Sequence, residues 1–194
     1  WKYSKIFNLD LESLNPSFNS PDDKKTEPSF LDIKDSGLIS INDGWLGNPK
    51  SGDFLDSSQG YLGSLANMGN ELSHIEENFD KPKDFFDCLN RAYNPETLVI
   101  HVPDGVRHES PIYIKIQSVT SGLVACPRIV VNLGENSEVK IVEHHLSGNA
   151  VSLSVPVLDV HVGQNSRLKH CVIQDLGEET WQVSKQNFEL EKNS

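Results

Sequence analysis

From Thr97 onward the chain alternates apolar and polar residues with a period of two. Residues 97–102, 112–116, 129–133, 139–141 and 158–162 all carry the pattern, and β-branched residues are prominent in them. Such alternation predicts half-buried strands. Short turn signals divide the strands: Pro103-Asp104-Gly105, Gly134-Glu135-Asn136-Ser137 and Gly163-Gln164-Asn165-Ser166. Before Pro95 the pattern is different. Residues 38–41 and 45–46 flank Asn42-Asp43-Gly44 and predict strand, tight turn, strand, because Asp-Gly supplies the positive φ of a hairpin turn. Residues 83–93 carry Phe85, Phe86, Leu89, Ala92 and Tyr93 at helical spacing. They predict a helix capped by Asp80, with Pro82 in its first turn and Asn94-Pro95 as its stop. Residues 15–29 and 47–60 are rich in Ser, Asn, Asp, Gly and Pro and predict loops.

The β half also repeats. Residues 129–139 align with residues 158–168, and the offset from Gly134 to Gly163 is 29. A further copy begins at Phe188, with an offset of 28 from Asn165 to Asn193, and a degenerate earlier copy spans residues 100–106. A propeller blade needs about 40–45 residues, so this shorter period points to a β-helix with one coil per repeat. A single coil cannot bury its own apolar face. Val131, Val160 and Phe188 are therefore expected to stack in one column, with Leu133, Val162 and Leu190 in another. The expected architecture is mainly β: a small mixed α/β N-terminal region over residues 1–95, then the first coils of a β-helix core over residues 96–194. The chain starts at Trp1 and stops in a turn at Asn193-Ser194, so the core is expected to be incomplete at its C-terminus.

Composition narrows the function. Seventeen basic and 28 acidic residues give a net charge of −11, spread over both halves. Phosphate binding needs clustered positive charge, so nucleic acid is not an expected partner. No window approaches the roughly 18 apolar residues of a membrane span, and no membrane association is expected. Cys88, Cys126 and Cys171 are odd in number and far apart. They predict incidental thiols in a reducing compartment rather than disulfides or a thiolate metal knuckle.

Candidate chemistry is sparse. Glu143-His144-His145 is the densest cluster, yet alternation in a strand lets only His145 share a face with Glu143. Solvent-facing polar residues are the expected account. His101 and His161 are expected to face outward. His170 takes the place of Ile141 in the repeat and is expected to point inward between Leu168 and Val172, as a satisfied core histidine or the mark of a local register change rather than a ligand. His108-Glu109 reads as a polar pair without a third partner. Asp159 and Asp175 are the carboxylates to consider for a carbohydrate-active β-helix enzyme, a polysaccharide lyase or glycosidase, which needs a pair at a set separation. No Gly-x-Ser-x-Gly elbow, phosphate-cradling loop or cupin-like His-x-His spacing occurs. No catalytic, cofactor-binding or metal residue is assigned.

Several elements together resemble the SufB/SufD family, the SUF-system iron–sulfur cluster assembly subunits. They are Trp1-Lys2-Tyr3-Ser4, the strand-turn-strand from Leu38 to Leu46, Phe-Phe-Asp-Cys-Leu-Asn-Arg-Ala from Phe85 to Ala92, and the coil from Asn136 to His145 ending in Glu-His-His. Residues 168–175 and 183–190 resemble the next coils, and the N-terminal elements favour the SufD side of the family. The resemblance implies a right-handed parallel β-helix and a non-catalytic scaffold role. It also implies work with a SufB-like paralogue and a SufC-like ABC ATPase through the full-length protein. It implies a cytoplasmic location, or the plastid stroma in a photosynthetic eukaryote. The family's implicated Cys and His residues lie later than this sequence, so none is carried over to His144 or His145. This segment is expected to bind no cofactor itself, while the full complex assembles an iron–sulfur cluster.

Overall fold

The structure, a computed structural model, describes residues 8–21, 37–49, 59–69, 75, 82 and 84–194. Fourteen strands and the α-helix Phe85–Tyr93 are described among them. Strands β5 (Thr97–Val102), β6 (Ile112–Gln117) and β7 (Leu123–Ala125) make the first coil. Strands β8 (Arg128–Leu133), β9 (Glu138–Leu146) and β10 (Ser152–Ser154) make the second. The third coil is β11 (Val157–Val162), β12 (Arg167–Asp175) and β13 (Thr180–Gln182), and β14 (Lys185–Leu190) follows it. Each strand pairs in parallel with its equivalent in the next coil, so the coils stack as a β-solenoid with three sheet faces.

The register agrees with the repeat. Ile100, Val131, Val160 and Phe188 are successive partners, as are Val102, Leu133, Val162 and Leu190. Apolar columns of this kind are how a solenoid buries a surface that no single coil can bury. The turns are equivalent as well. Asn136, Asn165 and Asn193 all take positive φ, at 57°, 59° and 62°. Their side chains form a ladder, with Asn193 Nδ2 donating to Asn165 Oδ1 at 3.2 Å. Asn tolerates the left-handed region better than other residues with a side chain. The short strands β7, β10 and β13 have three residues each, too few for an alternation to be seen.

Residues before Pro95 also join these sheets. Strand β2 (Gly37–Asn42) pairs in parallel with β6 and antiparallel with β3 (Trp45–Leu46). Asp43 and Gly44 turn between them with φ of 49° and 93°, the two positive values of the expected hairpin turn. Strand β4 (Tyr61–Ser64) runs antiparallel beside β5 and ends that sheet's ladder on its N-terminal side. Asn15 and Pro16 form a two-residue strand, β1, on β7. The expected loop over 15–29 is therefore corrected at these two positions; residues 22–29 lie outside the described residues. So do Trp1 to Ser4 and Asp80.

Helix α1 (Phe85–Tyr93) starts two residues later than expected. Asp84 caps it, its Oδ1 accepting from the Asp87 amide at 2.9 Å, and Pro82 precedes the first turn. The buried face also differs. Phe86 and Leu89 pack on Val124, Cys126, Leu153 and Val155 outside the β7–β10–β13 sheet, but Phe85 is 58% exposed and Tyr93 38%. The most buried helical residues are polar, Asp87 and Asn90. Asn90 Nδ2 donates to Pro127 O at 2.9 Å and Val155 O at 2.7 Å, the corners of successive coils. Asp87 receives Lys185, which opens β14. Helix α1 is thus a clasp across the corners of the stack.

Candidate functional site

The interior of the solenoid changes character along its axis. In β2 and β6 the inward residues of one sheet are Ile39, Ile41, Ile112, Ile114 and Ile116, all buried in the main core. In β9 the same columns continue as Ile141, Glu143 and His145, and in β12 as His170, Val172 and Gln174. An apolar lumen becomes polar within one coil.

Glu143 and His145 are only 2% and 3% exposed. The expectation that Glu143-His144-His145 faces solvent is therefore corrected. Val139 and Ile141 point inward, and the period of two carries Glu143 and His145 to the same face. The expectation that His145 shares Glu143's face holds. His145 Nε2 lies 3.3 Å from Glu143 Oε2, and His170 Nε2 lies 2.6 Å from Glu143 Oε1. His170 does point inward, engaged by that carboxylate and packed beside Phe188 with a ring separation of 5.9 Å. Gln182, from β13, donates to His145 Nδ1 at 3.1 Å, and Gln174 donates to Gln182 Oε1 at 3.0 Å. Sequence reasoning missed both glutamines, although Gln174 follows the column of Ile116 and His145.

The electrostatics follow from these contacts. Burial pushes the Glu143 carboxyl up, but the hydrogen bonds and positive potential of His145 and His170 outweigh it and hold the group below the usual carboxylate range. The two imidazoles take opposite oxygens of one carboxylate, which polarises the cluster and ties the second coil to the third. A cavity of about 20 Å³ opens beside it, lined by Ile129, Leu158 and Lys185 among others. That is room for about one water and none for a sugar. Among the described residues no group of three His, Cys, Asp or Glu side chains is arranged to hold a metal ion.

The other candidates disperse. His144 lies on the outer face, also buried at 2%, with Tyr113 Oη 2.5 Å from its Nδ1. Burial lowers its basicity against the pull of Asp175, and His145 and Lys115 lower it further. His101 and His161 face outward as expected. His101 Nδ1 meets Asn132 Oδ1 at 3.0 Å, and His161 sits between Glu189 and Glu191. His108 meets the Gln59 carbonyl at 2.9 Å. Asp159 is engaged by Arg128 and by Asn187, whereas Asp175 is on a different sheet. The three thiols are free, and burial pushes Cys126 up to about 12. No helix among the described residues is long and apolar enough to cross a membrane.

Comparison with known proteins matches part of this chain to a family model. Residues 116–194, which run from β6 through the second and third coils to the end of the chain, match the model described as "SUF system FeS cluster assembly, SufBD core domain". The chain is 33% identical over 123 residues to Protein ABCI7, chloroplastic, of Arabidopsis thaliana, covering 59% of this chain and 26% of that protein. It thus spans about a quarter of the length of that curated relative. Residues 116–194, which form the stacked coils with the polar interior, are thus similar to a SufBD core domain of the SUF system of iron–sulfur cluster assembly.

Proposed function

We propose that this chain is part of a non-catalytic scaffold subunit for iron–sulfur cluster biogenesis, on the SufD side of the family. The observation that carries the reading is the match of residues 116–194 to the SufBD core, over coils whose register is continuous from β5 to β14. The cluster is cargo of the assembled complex in this reading, not a resident group of the segment. Its partners are a SufB-like paralogue and a SufC-like ABC ATPase, engaged by the full-length protein. The chloroplastic relative supports the plastid stroma as its location. The scaffold reading is favoured over an enzyme on polysaccharide because Asp159 is engaged by Arg128 and Asn187 and lies on a different sheet from Asp175, so these two carboxylates do not form the pair such an enzyme needs.

The test is affinity capture of the tagged full-length protein from its own source. The proposal expects co-purification of an ABC-type ATPase and a paralogue with the same core, and no release of sugars from polysaccharide. Capture without either partner, or a saccharide-cleaving activity that follows the protein through purification, overturns it.

A further inference from the structure

Helix α1 and the solenoid share a spacing. The helix advances about 1.5 Å per residue, and parallel strands of successive coils lie about 4.8 Å apart. A helical residue at every third or fourth position therefore meets the corner of one coil after another. Asp87, Asn90 and Asn94 fall at that interval. Asn94 Nδ2 donates to Cys126 O at 2.9 Å, at the corner between β7 and β8. Asn90 reaches from that corner to the next, where it meets Val155 O between β10 and β11. Asp87 takes Lys185, just past the corner between β13 and β14. The helix thus crosses successive corners with one polar side chain per turn.

Its two ends are seated differently. Asn94 also donates to Glu96 O at 3.0 Å and accepts from Thr97 Oγ1 at 2.7 Å, which ties the helix stop to β5. Asn90 is fully buried against two corner carbonyls. Under the first turn, by contrast, lies a cavity of about 80 Å³, lined by Asp84, Phe86, Val155, Val183 and Lys185 among others. Side chains around unfilled space forfeit dispersion contacts on that side, so the first turn leans on the ion pair of Asp87 with Lys185. The ladder bonds of the corners, Val157 N to Pro127 O and Lys185 N to Pro156 O at 3.0 Å each, do not pass through the helix.

We propose that α1 is a hinged strap, in which the first turn unlatches when Asp87 and Lys185 part while Asn90 and Asn94 hold the other end. Unlatching draws Phe86 off the apolar strip that Leu153, Val155 and Val183 form beneath it, and it leaves the coils stacked. The backbone bonds that open with it are the Asp84 cap on the Asp87 amide at 2.9 Å and the bond from Cys88 N to Asp84 O at 3.0 Å. Both charges reach water when the turn lifts, so the unlatched state carries no unpaired buried ion. Local opening of this kind is confined to the segment whose contacts are fewest.

Hydrogen exchange of the full-length protein, read residue by residue by mass spectrometry with gas-phase fragmentation, tests it. In Lys185→Met the Asp87 and Cys88 amides are expected to exchange about tenfold faster or more, the low end for losing a hydrogen bond to a charged group. The Asn94 amide, bonded to Asn90 O at 2.8 Å, and the corner amide of Val157 are expected to keep the parent's rate. Val183→Ile, which adds a methyl group to the cavity lining, is expected to slow the Asp87 and Cys88 amides; this arm stands if Lys185→Met does not fold. Four results overturn the proposal: Asp87 and Cys88 amides unchanged in Lys185→Met, an Asn94 amide that accelerates equally, acceleration that extends to Val157, or no slowing in Val183→Ile.

Discussion

Replacing Asn90 by alanine tests whether helix α1 clasps the solenoid through a polar side chain. Asn90 is fully buried, and its amide donates to two corner carbonyls, Pro127 O and Val155 O, while its Oδ1 accepts from Arg128 at 3.3 Å. Pro127 O retains the Val157 amide at 3.0 Å, so losing its second partner costs about 0.5–1.5 kcal/mol. The bond to Val155 O is set at the cost of a buried group left without it, about 1–3 kcal/mol. Arg128 keeps Asp159, so little is added there. The sum is about 3 kcal/mol, or roughly 6–12 °C in Tm for a domain of this size. Asn90→Asp is expected to be worse than Asn90→Ala, because it points a carboxylate oxygen at two carbonyls even as it gains on Arg128. Cys88→Ala, on the exposed face of the same helix, is the control and is expected to stay within about 0.5 kcal/mol. Urea and thermal unfolding followed by circular dichroism measure all three. Asn90→Ala within about 0.5 kcal/mol of the parent, or Asn90→Asp more stable than Asn90→Ala, would refute the clasp.

Three further outcomes follow from the packing. Glu143 is held below the range of an unfolded glutamate, so its contribution to stability is complete above about pH 4.3 and is lost as pH falls from there through the lower folded value; Glu143→Gln is expected to flatten the acid limb of a stability–pH curve. A Cβ on Gly163 would lie 2.8 Å from Gly134 C and Leu133 O, so Gly163→Ala is expected to cost about 1–3 kcal/mol in urea unfolding by forcing adjacent turns apart. Thiol alkylation read by mass spectrometry is expected to mark the exposed Cys88 and Cys171 in the folded chain, and Cys126 only after unfolding, since burial pushes its thiol up to about 12.

Much of the solenoid is legible in the sequence because its determinants are local and repeated. Gly134 and Gly163, followed two residues later by Asn136 and Asn165, mark equivalent turns, and Val131, Val160 and Phe188 mark one column. The short strands left no such mark, because three residues between corners hold too few positions for a period. The polar interior was misread for a different reason. Alternation infers the inward face from apolarity, and Glu143 and His145 are polar residues on that face. Their parity with Val139 and Ile141 was the available signal. The partners that make their burial tolerable, His170 and Gln182, come from the next coil, 27 and 37 residues away from the groups they meet. The same blindness affected helix α1, where Phe85 was expected inside but Asp87 and Asn90 are, because their partners are corner groups and Lys185 rather than apolar side chains.

The central claim is that an ionised carboxylate, held by two histidines, replaces the aliphatic lumen of the solenoid at the second coil. Its most direct test is the pH titration of the Glu143 side-chain carboxyl ¹³C resonance, assigned by comparison with Glu143→Gln. The account predicts a midpoint below the ordinary glutamate value of about 4.3, moving up toward it when His170→Ala removes the shorter of the two bonds. A midpoint above that value in the parent chain would mean that burial wins over the histidines, and it would contradict the account.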